Sequence, residues 1–123
     1  MELLLYVAAS LCIALSAAHS YLGEKYILIR LFRRENLPKI FGDTRFTQKT
    51  LRFAWHITSV AWIGFAALLV HAGREDLTVS GMLRIIGITF MVSGLFPLIA
   101  TRGRHLAWLV FFAIGGISLW CGS

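Results

Sequence analysis

Acidic side chains are scarce in this 123-residue chain: six Asp and Glu stand against twelve Lys and Arg, for a formal net charge of +6. Cysteine and proline are scarcer still, at two each. Cys12 and Cys121 fall at different depths of different apolar segments, so no intrachain disulfide is expected, and neither has a partner at metal-finger spacing. Catalytic signatures are also missing. The chain has no GxSxG, HExxH, CxxC or GxxxxGKS/T sequence, which removes the usual nucleophile-elbow, zincin, dithiol and phosphate-loop chemistries. No nucleic-acid-binding motif accompanies the basic residues, and they sit beside apolar segments, so nucleic acid is not an expected partner.

The most telling shortage is of charge within long segments. Residues 3–23, 53–73 and 105–121 carry no Asp, Glu, Lys or Arg, and residues 82–101 carry only Arg84. About 20 predominantly apolar residues are needed to cross a bilayer as a helix, and only a helix satisfies its own backbone there without neighbouring strands. The chain therefore predicts a single all-α integral membrane domain over 1–123. Its four transmembrane helices form an antiparallel bundle, with both termini outward. An apolar content of 58% and a mean hydropathy of +0.74 agree with that class. The first span lacks a basic leader, since the chain opens Met1-Glu2-Leu3, and it is expected to be retained.

The orientation follows from the basic residues. The loop 24–52 holds Lys25, Arg30, Arg33, Arg34, Lys39, Arg45, Lys49 and Arg52 against Glu24, Glu35 and Asp43; Arg102 and Arg104 lie in the third connection. The opposite side has Arg74 and Arg84, offset by Glu2, Glu75 and Asp76. Lys and Arg near span ends favour the cytoplasm, which predicts a multi-pass protein of the bacterial inner membrane with a cytoplasmic first loop. Anionic inner-leaflet lipids should hold that loop at roughly 1 kcal/mol per well-placed cation. Tyr6 and Trp120 near one boundary and Tyr21, Tyr26, Trp55 and Trp108 near the other read as interfacial belts.

Within the loop, residues 24–35 interleave apolar and basic side chains, as suits a surface helix or an extension of the first span. Asn36-Leu37-Pro38 ends it, and Phe41-Gly42-Asp43 reads as a turn. Pro97, after Ser93 and Gly94, is expected to kink the third span and free a backbone carbonyl near the cytoplasmic side. Gly87, Gly94, Gly115 and Gly116, with the alanines of the first span, permit close helix contact inside the bundle or in a homodimer or homotrimer.

Ionisable groups at span ends supply the candidate site. His19 and Glu24 close the first span, while Arg52 and His56 open the second, so an antiparallel hairpin brings them to similar depth. Ser16 and Ser59 share their helical faces. His19, His56 and Glu24 are the residues a divalent metal would take, and the two histidines would be the axial pair for haem b. Three readings follow: an interhelical clamp without ligand, a metal site, or a haem site. The expected function is a non-enzymatic binder or transporter of a small ligand or ion. The rivals are an accessory membrane subunit and a metal- or haem-dependent enzyme. In layout the chain is similar to the membrane-associated glutathione and eicosanoid enzymes, with four short spans and a long basic first loop. Its second span reads Arg52-Phe53-Ala54-Trp55-His56, without the Asn and Glu of that family's second helix, so the family's active site does not carry over.

Overall fold

Apolar segments without charge become helices, and polar or glycine-containing breaks end them. The computed structural model describes residues Met1 to Ser123 and contains four helices and no strands. Helix α1 spans Glu2–Leu31, α2 Arg45–Gly73, α3 Val79–Thr101 and α4 Ala107–Cys121. The first three are long and apolar enough to cross a membrane. The fourth, at 15 residues, rises about 22 Å at 1.5 Å per residue and is shorter than a full hydrocarbon crossing. Only 16 of 123 residues are buried, while Leu3, Leu4, Ile99 and Trp120 each keep more than two thirds of their surface exposed. Water would penalise such a surface; lipid would not.

The helices start and stop for local reasons. The Thr78 hydroxyl accepts the Gly81 backbone N–H at 3.0 Å and caps α3. Arg102, in the left-handed region at φ 52°, ends that helix, and the Gly103 N–H turns back to the Leu98 carbonyl at 2.9 Å. Between α1 and α2, Phe41 and Gly42 both have positive φ, at 59° and 92°, and the Ile40 N–H reaches the Asp43 carbonyl at 3.0 Å. That is the expected turn, in the mirror-image form that tight hairpins use. Helix α3 runs on through Pro97, whose side chain is fully buried.

Residues 24–31 do not leave α1 along a surface. They continue it, but through a π-helical segment at Gly23–Leu28, where the turn widens to i→i+5 bonding before α-helix resumes at Ile29–Leu31. The consequence is a change of register. In an α-helix a step of four residues overshoots a full turn by about 40°. The wider turn rewinds that drift, and Ser16, Ser20, Glu24 and Leu28 all come to face α2 or be buried beside it.

Packing is sequential. Helix α1 packs on α2, α2 on α3 and α3 on α4, whereas α1 and α4 do not pack against each other. The glycines that promised close approach are used mostly within the chain. A Cβ on Gly87 would lie 3.0 Å from the Gly115 carbonyl oxygen, and a Cβ on Gly115 would lie 3.0 Å from that of Gly87, so α3 and α4 cross backbone to backbone. Gly94 lies under Phe112, where an added Cβ would meet the ring at 2.6 Å. Only Gly116 of this set faces open space.

Candidate functional site

At the end of the α1–α2 hairpin that carries the basic loop, the polar residues of both helices form one connected group. Arg52 grips Glu24 with two nitrogens: Nη2 lies 2.8 Å from Oε1, and Nε donates to Oε2 at 3.2 Å. His56 Nε2 reaches the same Oε2 at 3.3 Å. On its other side, His56 Nδ1 is 2.9 Å from the Ser20 hydroxyl, and Ser20 is 2.7 Å from the Ser59 hydroxyl. Deeper still, Ser16 donates to the Ser59 carbonyl at 2.8 Å. Ser16 and Ser59 are buried, whereas Glu24 and His56 are each less than a third exposed. The Arg52 guanidinium, about half exposed, also lies over the Phe32 ring at 4.9 Å.

The chemistry of this chain is set by its donors and acceptors. With Glu24 as an anion, neutral His56 donates through Nε2 and accepts through Nδ1 from Ser20, which accepts from Ser59. With His56 protonated, both ring nitrogens donate, and the two hydroxyls reverse direction. The series Glu24, His56, Ser20, Ser59 thus has two hydrogen-bonded polarities without moving a heavy atom. An open cleft of about 550 Å³ lies beside it, lined by Ser20, Tyr21, Glu24, Lys25, Ile29 and His56 among others.

His19 belongs to a neighbouring but different arrangement. Its Nε2 donates to the Trp55 carbonyl at 3.3 Å, and Trp55 Nε1 donates back to the His19 carbonyl at 3.0 Å. The two rings stack with centroids 4.4 Å apart and planes 3° from parallel, and Trp62 meets the same imidazole edge-on at 4.8 Å. Gly23 makes room for this, because a Cβ there would fall 2.1 Å from Trp55 Nε1. The hairpin is therefore joined at two places: a polar series through Glu24 and His56, and a stacked pair through His19 and Trp55.

Of the residues expected to form one pocket, the structure joins Glu24, Arg52, His56, Ser16 and Ser59 and places His19 in the adjoining pair. No three His, Cys, Asp or Glu side chains gather as a metal-holding group, so His19, His56 and Glu24 are not assembled as a ligand set. Haem ligation by His19 and His56 does not fit either, since both nitrogens of His56 and Nε2 of His19 are engaged within the hairpin. His105 stays apart, between Phe46 and Phe53. His71 pairs with Asp76 at 2.9 Å at the other end of α2.

Ser20 and Trp55 are the participants that the sequence reading overlooked or misplaced. Ser16, Ser20 and Glu24 form a polar series at four-residue spacing, opposite Arg52 and His56 at the same spacing, and that pattern was a usable signal for Ser20. Trp55 stacks on His19 instead of serving only as an interfacial aromatic. Comparison with protein-family models, curated proteins and solved structures finds no match to this chain.

Proposed function

We propose that this is a multi-pass membrane protein that binds and passes a small ion, the proton being the simplest, through the polar series at the basic end of the α1–α2 hairpin. The observation that carries this reading is the unbroken run of exchangeable hydrogens from Glu24, beside an open cleft, through His56 and Ser20 to buried Ser59. Partly buried ionisable side chains where two apolar helices meet, as Glu24 and His56 are here, are characteristic of proton and ion pathways. The series ends at Ser16 and Ser59, with apolar residues beyond, which favours carrier-like transfer over a continuous pore.

Orientation belongs to the same proposal. Ten Lys and Arg lie at the basic end, in its two connections and the helix ends that flank them, and two on the opposite side, so the polar series faces the cytoplasm of a bacterial inner membrane, and both termini face outward. Here α4 is the fourth span, its short length met by local thinning of the bilayer. A reporter fused after Ser123 is expected to be active only outside the cytoplasm. A cytoplasmic signal with the native loop charges intact would reverse the orientation.

A second reading has its own support. The His19–Trp55 pair is closed on itself, each residue donating to the other's carbonyl, as in a clamp that only fixes the hairpin. Vesicles containing the purified protein and a pH-sensitive dye separate the two. The ion-passing reading expects an imposed proton gradient to decay faster than in protein-free vesicles, with the excess rate abolished by His56→Phe and by Glu24→Gln. Decay no faster than in empty vesicles, with the variants merely less stable, would leave the clamp as the function of the whole cluster.

A further inference from the structure

The two loops at the basic end close around a cavity that belongs to neither the polar series nor the stacked pair. Its volume is about 300 Å³, and its walls include Arg45 and Lys49 from the start of α2, and Arg102 and Arg104 from the α3–α4 turn. Four cations therefore face one carboxylate, Asp43. That carboxylate is already taken, because Asp43 pairs with Arg45 Nε at 3.4 Å and accepts the Arg45 backbone N–H at 2.9 Å. Lys49, Arg102 and Arg104 form no ion pair within the chain.

Backbone geometry strengthens the same field. Helix α2 begins here, 29 residues long, without a cap from the Thr44 side chain; Asp43 takes the Arg45 N–H, and the N–H groups of Phe46 and Thr47 have no partner in the chain. The positive end of its dipole thus adds to the side-chain charge. The turns that bring the cations together are held open by positive φ at Phe41 and Gly42 on one wall and at Arg102 and Gly103 on the other. Arg104 lies over the Phe41 ring at 5.8 Å, which directs its guanidinium across the opening. All four cations are exposed, so water screens part of their mutual repulsion, and a bound anion would offset the rest.

We propose that this cavity binds a phosphate group, from either an anionic phospholipid headgroup or free phosphate. Guanidinium groups suit phosphate oxygens through paired N–H donors, and unpaired helix N–H groups suit them as well. The setting fits a lipid phosphate in particular: Phe41 in the cavity wall is 69% exposed, Ile99 and Leu106, two residues before Thr101 and two after Arg104, are 72% and 65% exposed, and α3 carries an apolar groove over Val92, Leu95, Phe96, Ile99 and Ala100 that ends just before Thr101. The site is independent of Glu24 and His56, so its failure would leave the ion-passing reading standing.

Native mass spectrometry of the full chain, released from bilayer discs, tests the site. Discs of phosphatidylcholine and phosphatidylglycerol in equal amounts should yield a retained phosphatidylglycerol molecule. Arg102→Gln with Arg104→Gln should weaken that retention by about tenfold or more, given on the order of 1 kcal/mol per cation. Arg33→Gln with Arg34→Gln, in the α1–α2 loop at the same end of the bundle but outside the cavity, should not. Displacement of the lipid by millimolar inorganic phosphate, or phosphate binding in phosphatidylcholine discs alone, identifies free phosphate as a ligand of the same site. Equal losses in both double variants would mean diffuse attraction of the loop and overturn the proposal. So would the absence of both lipid retention and phosphate binding. Circular dichroism of each variant confirms that helix content is kept.

Discussion

Gly23→Ala is expected to loosen the α1–α2 hairpin by roughly 1 to 3 kcal/mol, the usual penalty for forcing an extra carbon into a packed site. The backbone at Gly23 is ordinary helix, at φ −62° and ψ −46°, so alanine is not excluded by conformation and would even raise helix propensity. Space is the obstacle. The new Cβ would fall between 2.1 and 2.6 Å from three indole atoms of Trp55. That indole cannot swing aside freely, because it is tied to the His19 carbonyl and stacked on the His19 ring. Thermal unfolding in detergent, followed by tryptophan fluorescence, measures the loss. Gly116→Ala is the matched control, since nothing lies within 4 Å of its added carbon. Equal stability of Gly23→Ala and the native chain would show that the stacked pair does not hold the hairpin as described.

A double-mutant cycle on Glu24→Ala and His56→Ala should give a coupling of roughly 0.5 to 3 kcal/mol, the range for residues in direct contact within one network. The expectation rests on the shared Oε2 of Glu24, which serves both His56 and Arg52, so that removing either partner changes what the other can do. The corresponding cycle on His19 and His56 should give a smaller value, because the two imidazoles answer to different partners. Reversible unfolding in mixed micelles reads both cycles. A His19–His56 coupling as large as the Glu24–His56 one would mean that the two joins of the hairpin are one unit.

The helices were legible because lipid-type segments announce themselves through runs without charge, and the three long and apolar enough to cross a membrane all fall on predicted spans. Their ends were less legible. Helix α2 begins at Arg45, eight residues ahead of the apolar segment, because Thr47, Gln48 and Lys49 continue the helix without being apolar. The convergence of Glu24, Arg52 and His56 could be read from depth alone, since an antiparallel pair puts the end of one span beside the start of the next. What depth cannot supply is rotation. Whether His19 or Ser20 faces His56 depends on the helical phase, and the phase near Glu24 is shifted by a wide turn that has no residue signature of its own. The cavity between the loops was invisible for a similar reason: Lys49 and Arg104 are 55 positions apart, and only the fold makes them neighbours.

Because each helix touches only the one before and the one after it, no segment has to wait for a distant part of the chain before it can settle. The ribosome delivers the partners in the order in which they pair. Closure entropy is thus met one short connection at a time, and no late step has to bring the first helix against the last. An open row of this kind can form as it is synthesised, with the α1–α2 hairpin complete, His56 already on Glu24 and His19 on Trp55, before α4 has left the ribosome.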